Sequence, residues 1–266
     1  MAAGDSATTA VHATAILDPR AELAEGVEIG PYAVIGPQVR IGARTRVGAH
    51  CVLEGRTTIG AECQLFTGAV IGSIPQDLKF SGERSQLIIG DRNRFREYVT
   101  VNPGTQGGIG KTVIGSDCLM MAYAHVAHDC VLGNRVVMAN SAALAGHIEV
   151  GDGAVIGGLV GIHQFVRVGT LAMIGGCSRV NQDVPPYSMC VGYPAKLFGL
   201  NSEGLRRANV LEETKQVLHK AFRVLFQSGL SMSHAVEQVT QSAAPGAEVR
   251  HLLEFIQQSK RGVCRA

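Results

Sequence analysis

Ile29-Gly30-Pro31-Tyr32-Ala33-Val34-Ile35-Gly36-Pro37-Gln38-Val39-Arg40-Ile41-Gly42-Ala43-Arg44-Thr45-Arg46-Val47-Gly48 repeats one pattern every six residues. An aliphatic side chain is followed by glycine, two variable residues, a small residue and one more. The beat extends upstream to Leu23, Leu17 and Val11, and downstream through Leu53, Ile59 and Leu65 to Ile71. It resumes at Ile114 and runs without a miss through Met120, Val126, Leu132, Met138, Leu144, Val150, Ile156, Ile162, Val168 and Ile174 to Val180. A period of six fits neither the 3.6 of an α-helix nor an alternating strand, so it marks a unit that stacks on copies of itself.

The pattern resembles the hexapeptide-repeat proteins. That resemblance implies an all-β left-handed parallel β-helix with eighteen residues, three hexads, in each triangular coil. The aliphatic residue is expected inside the prism. The glycines are expected to turn the corners, because glycine takes positive φ without steric cost. Composition agrees: 46% of the 266 residues are hydrophobic, enough for a core, while only 5% are aromatic and none is Trp, as a narrow interior requires. Four of the seven cysteines, Cys51, Cys63, Cys118 and Cys130, fall in the small slot and read as buried apolar residues. No C-x-x-C occurs, and Cys177, Cys190 and Cys264 suggest no chemistry.

Beyond Val180 the pattern stops. Asn201 and Ser202 are candidate helix caps. Leu211, Leu218, Phe222 and Leu225 then recur at helical spacing up to Gly229, with further helices expected over 231–241 and 246–259. The expected organisation is a β-helix over 1–200 and a helical C-terminal domain over 201–266. Two stretches interrupt the hexads, at 73–86 and 102–112, and interruptions in a solenoid become side loops where binding residues tend to lie. A net charge of +2 argues against a nucleic-acid partner, and no segment has the apolar length of a membrane span or the form of a signal peptide, so a cytoplasmic protein is expected.

His125, His128, His147 and His163 fall within thirty-nine consecutive residues. In an eighteen-residue coil, His128, Gly146 and Gln164 should stack on one wall about 4.8 Å apart, with Asp129 and His147 one position along. A histidine beside a carboxylate, facing a glycine amide that no side chain obstructs, has the parts of a general base and an oxyanion donor.

At these residues the resemblance becomes specific. His125-Val126-Ala127-His128-Asp129-Cys130, Leu144-Ala145-Gly146-His147, Ile162-His163-Gln164-Phe165, Gly175-Gly176-Cys177-Ser178, Gln182-Asp183-Val184-Pro185-Pro186-Tyr187, Gly204-Leu205-Arg206-Arg207 and the loop Gln76-Asp77-Leu78-Lys79 are similar to the UDP-N-acetylglucosamine acyltransferases that begin lipid A synthesis. The resemblance implies transfer of a 3-hydroxyacyl chain from acyl carrier protein to the sugar's 3-position. It makes His128 the general base, Asp129 its orienting and charge-favouring neighbour, and the Gly146 amide the oxyanion donor. Gln76, Asp77, Lys79, His125, His147, Gln164 and Arg207 would hold the nucleotide sugar. His163 would line the pantetheine groove, and Gly176 would set acyl length. The family works as a homotrimer with clefts between subunits. No cofactor or metal is implied, since a thioester is already an activated donor.

The chain departs from enterobacterial members, which carry His-Arg-Gly-Thr at Asn102-Pro103-Gly104-Thr105; Pro194 and Ala208 also stand where polar residues are expected. The sequence leaves open whether the acceptor is a 3-hydroxyl or a 3-amino sugar, and the exact acyl length. Three other readings compete. One is the related N-acyltransferase, which carries an extra N-terminal domain; another is a γ-class carbonic anhydrase-like zinc enzyme with a different histidine spacing; the third is a scaffold without catalysis.

Overall fold

The computed structural model describes residues 8–241 and 246–265; residues 1–7 of the expected β-helical domain, and 242–245 and 266 of the expected helical one, lie outside the described residues. Most hexads contribute a two-residue strand, and the strands line up in three sheets of eleven, nine and eight members that form the faces of a prism. On the first face Glu28–Ile29 pairs with Arg46–Val47, on the second Val34–Ile35 with Val52–Leu53, and on the third Arg40–Ile41 with Thr57–Ile59, all parallel. Partners such as Glu28 and Arg46 are eighteen residues apart, one coil.

In the two-residue strands of the inner coils the second residue points inward. Ile35, Leu53, Ile71, Val126 and Leu144 are at most 1% exposed. The small slot is buried as well, and burial pushes the Cys118 thiol up to about 11 and that of Cys130 up to about 12, which leaves neither as a nucleophile near neutrality. Val11, in the first described strand, is 42% exposed, with no coil among the described residues beneath it.

The corners are not turned by the repeat glycines. In most coils the left-handed position is the third after the aliphatic residue, and ordinary side chains occupy most of these places: φ is 58° at Tyr32, 57° at Arg44, 58° at Asp129 and 61° at His147, with glycine there only at Gly26, Gly68 and Gly153 among the described residues. The glycine slot serves close approach instead. A Cβ at Gly42 would lie 2.5 Å from the Gly60 carbonyl carbon of the next coil, and one at Gly48 would lie 2.8 Å from the Leu65 oxygen. Stacking of backbone on backbone, rather than φ, sets that residue type.

Both insertions leave the same edge of the prism. The first joins Val70–Ile71 on the second face to Gln86–Ile89 on the third, and the second joins Thr100–Val101 to Lys111–Ile114 on the same two faces.

After an antiparallel pair, Ser188–Gly192 with Ala195–Leu200, four helices follow: α1 (Ser202–Arg207), α2 (Glu212–Gln227), α3 (Met232–Gln241) and α4 (Ala247–Gln257). Asn201 caps α1 by accepting from the Gly204 amide at 3.0 Å, while its amide group donates to the Leu171 carbonyl at 2.8 Å. The chain end then returns to the last coil. Asp183, 1% exposed, exchanges backbone hydrogen bonds with Gly262 and Cys264, and its carboxylate accepts from Ser259 and the Arg167 amide. No helix among the described residues is long and apolar enough to cross a membrane.

Candidate active site

The edge between the second and third faces carries both loops, and His128, Asp129, Gly146, His147, Gln164 and Phe165 turn the chain at that edge in three successive coils. His128, Gly146 and Gln164 therefore stack in a corner rather than on a wall. The hexad explains this: they stand two places after the inward aliphatic residue, where the strand has ended. The His147 amide donates to the His128 carbonyl at 3.0 Å and the Phe165 amide to that of Gly146 at 3.2 Å, which ties the three turns together.

Asp129 anchors the corner. Its side chain is fully buried and accepts from the His128 ring Nδ1 at 2.9 Å, the Thr105 hydroxyl at 2.7 Å, the Thr105 amide at 3.1 Å and the Gly110 amide at 3.1 Å. Burial opposes ionisation, but the hydrogen bonds from the Thr105 hydroxyl, His128 and the Thr105 amide outweigh it, with His147 adding to the effect. The carboxyl is held below the usual range. With Nδ1–H directed at this carboxylate, the lone pair of the neutral ring sits on Nε2.

The His128 ring lies against Gly146. A Cβ there would come within 2.6 Å of Cε1 and 2.7 Å of Nε2. His147 meets His128 edge-on at 4.9 Å between centroids and stacks flat on Phe165 at 4.4 Å and 5°. Burial pushes the His147 imidazole down, more than the attraction of Asp129 raises it; His128 lowers it further, and Asp77 of the first loop acts weakly upward. Asp77 thus stands in electrostatic reach of the corner, with its carboxylate accepting the Lys79 amide at 3.0 Å. Gln76 and Lys79 are exposed beside it. His125 is on the second face, its Nδ1 2.7 Å from the Thr100 hydroxyl, and burial, with repulsion from His128, pushes its imidazole down.

Three other expected residues stand apart from this cluster within one chain. Exposed His163 turns its Nδ1 toward the Gln164 carbonyl at 3.1 Å and Arg261 at 3.3 Å. Arg207 is on α1, paired with Glu203 at 2.7 Å. Gly176 turns the chain between the first and second faces, at a different edge.

Sequence reasoning assigns no role to Thr105, Thr100 or Phe165. Phe165 was within its reach, being eighteen residues after His147. Thr105 was not: it lies twenty-four before Asp129, out of register, because the loop breaks the count.

Asp129, His128 and His147 offer three atoms within 4.8 Å of one another that could hold a metal. The carboxylate, however, is already engaged by four donor groups, and the His128 Nδ1 is turned onto it. The set is arranged to orient an imidazole.

The sequence matches the family described as Udp N-acetylglucosamine O-acyltransferase, Domain 2, over residues 183–264, and the bacterial transferase hexapeptide (six repeats) over 20–55 and 111–146. It is 54% identical over 258 residues to the acyl-[acyl-carrier-protein]--UDP-N-acetylglucosamine O-acyltransferase of Trichlorobacter lovleyi, covering 96% of this chain and 99% of that one. The enzyme of the same name from Thermodesulfovibrio yellowstonii is 50% identical over 255 residues, with the same coverage. The solved structure of LpxA from Acinetobacter baumannii superposes with a TM-score of 0.93 at 42% identity, over 96% of this chain and 99% of that one. Because the likeness runs through coils, loops and helical tail alike, the chain belongs to the acyl-[acyl-carrier-protein]–UDP-N-acetylglucosamine O-acyltransferase family and is an acyltransferase.

Proposed function

We propose that the chain transfers a 3-hydroxyacyl group from the phosphopantetheine thioester of acyl carrier protein to the 3-hydroxyl of UDP-N-acetylglucosamine; the relatives are named for O-acyl transfer between an acyl-[acyl-carrier-protein] and UDP-N-acetylglucosamine. The observation that carries the reading is the His128 ring, held by Asp129 through Nδ1 and packed against Gly146. Nε2 removes the proton of the sugar hydroxyl as its oxygen attacks the thioester carbonyl. The Gly146 amide stabilises the oxyanion that forms. Collapse expels the pantetheine thiolate, which takes the proton back from His128. Asp129 stays ionised and stabilises the imidazolium between the two transfers.

Gln76, Asp77, Lys79, His125, His147, Gln164 and Arg207 are assigned to the nucleotide sugar, and His163 to the pantetheine groove. Gly176 is assigned to the end of the acyl chain. Its place at a different prism edge from His128 favours a cleft shared between chains, as a homotrimer provides. Docking of the acidic carrier is assigned to Arg179 and Arg223, which are exposed. Arg167 is a weaker candidate, since it pairs with Glu149 at 3.4 Å and lies 4.3 Å over the Phe255 ring. No metal or cofactor takes part, because the thioester already activates the acyl group.

The test is an assay of the purified protein with UDP-N-acetylglucosamine, its 3-amino analogue and a panel of 3-hydroxyacyl carrier proteins. His128→Ala should fold normally and lower the rate by about 10²-fold or more. Activity within a few-fold of wild type would remove His128 as the base. Wild type is expected to favour long donors of the 3-hydroxymyristoyl class, and Gly176→Met to invert that choice. A wild type that already prefers the short donor would mean the groove ends elsewhere.

A further inference from the structure

Thr105 lies outside the coil register, yet it makes the shortest hydrogen bond to the buried carboxylate. Its hydroxyl donates to Asp129 Oδ2 at 2.7 Å, the same oxygen that faces His128 Nδ1 at 2.9 Å, and its amide reaches both carboxylate oxygens at 3.1 and 3.2 Å. Thr105 is itself only 4% exposed. The rest of the 102–110 loop is shaped around the same group. The Gly110 amide holds Oδ1 at 3.1 Å, and a Cβ at Gly108 would overlap the carboxylate. The loop begins at Asn102, whose amide group donates to the Ser73 carbonyl at 2.9 Å and the Ile74 carbonyl at 3.2 Å, fastening it to the loop that carries Asp77 and Lys79.

We infer that Thr105 is a positioning residue for acyl transfer: its hydroxyl and amide lock the rotation of the Asp129 carboxylate, so that Oδ2 holds the His128 ring with Nε2 facing the acceptor. The inference rests on the proposed roles of His128 and Asp129. Two donors converging on one oxygen from different sides leave the carboxylate a single orientation, whereas with the Thr105 hydroxyl gone it can turn and let the imidazole swing. The effect is therefore on the chemical step and not on sugar binding, which draws on other residues.

The experiment compares Thr105→Val, Thr105→Ser, Asp129→Ala and the Asp129→Ala/Thr105→Val double variant in the full-length protein. It measures kcat, KM for UDP-N-acetylglucosamine and melting temperature. Thr105→Val should lower kcat by roughly 10- to 100-fold, as loss of one charge-assisted hydrogen bond implies. KM should move by less than about twofold, since binding energy common to ground and transition states is untouched. Thr105→Ser should restore most of kcat. In the Asp129→Ala background, Thr105→Val should add nothing, because its effect passes through that carboxylate.

A Thr105→Val enzyme with wild-type kcat overturns the inference, as do effects that multiply in the double variant. If Val lowers the melting temperature, Thr105→Ala removes the hydroxyl without adding volume, and its kcat decides. A wild-type kcat in Asp129→Ala is a different failure: it overturns the assigned role of Asp129.

Discussion

Two edges of this prism share one backbone and differ in everything their side chains do. Between the third and first faces, the left-handed position of successive coils holds Arg44, Glu62, Arg92, Asp117 and Arg135. Arg44 pairs with Glu62 at 2.6 Å and Arg92 with Asp117 at 2.7 Å, yet the four side chains remain 41–61% exposed. Between the second and third faces, the same position holds Asp129, His147 and Phe165. There the Asp129 side chain is fully buried and that of His128 14% exposed. The difference comes from the loops, since both leave the second of these edges and the second loop covers Asp129. A charge ladder in water gains little from its pairs. The covered carboxylate must be satisfied by fixed donors, and those donors give it one orientation.

The largest expected difference between repeat positions is at glycine. Gly146→Ala should push the His128 ring aside and lower kcat by about 10²-fold or more, with the melting temperature little changed, because a side chain can yield. Gly42→Ala meets backbone, 2.5 Å from the Gly60 carbonyl carbon, and should destabilise by about 1–3 kcal/mol while leaving kcat near wild type in the folded fraction. If both variants lose stability equally, the corner is a packing feature and no more.

Next comes the carboxylate. Asp129→Ala strands the Thr105 hydroxyl and amide, while the Gly110 amide keeps the Thr105 carbonyl at 3.1 Å as its acceptor. It should lower stability by at least about 2 kcal/mol in urea unfolding as well as activity. Asp117→Ala, on the exposed ladder, should change neither measurably. Equal losses in the two variants would mean the loops do not distinguish the edges.

Acid should sharpen the same contrast. The Asp129 carboxyl is lowered in the folded state, so its contribution is complete above the unfolded value of about 3.9 and is lost as pH falls through the lower folded value. The stability gap between wild type and Asp129→Asn should therefore be constant near pH 6 and narrow below about pH 4. A gap that widened on acidification would contradict the sign.

The smallest effect is at Phe165. Its flat stack on His147 is worth about 0.5–1.5 kcal/mol, so Phe165→Ala should raise KM for the nucleotide sugar a few-fold to about tenfold. A change in kcat with KM unaltered would show that the stack supports His128 instead.

The register of eighteen made much of this edge legible in advance. It brought His128, Gly146 and Gln164 into one column and Asp129 and His147 into the next, because each coil has the same length and each position returns to the same corner. It misassigned the column to a wall, and it read the repeat glycines as corner residues. Periodicity gives the phase of a position but not its dihedral angles, and the left-handed turn falls two residues later than the glycine.

What the sequence determined by itself is whatever the period carries: the inward aliphatic column, the buried small slot, and the stack of His128 over Gly146. These follow from local rules applied again and again, so they can be counted. What only the tertiary structure decided lies where the count breaks. That Thr105 reaches Asp129 across twenty-four residues, that Asn102 fastens one loop to the other, and that both loops leave one edge depend on the path of irregular chain. A loop has no period, and its partners are chosen by which buried donors and acceptors remain to be satisfied once the coils have stacked.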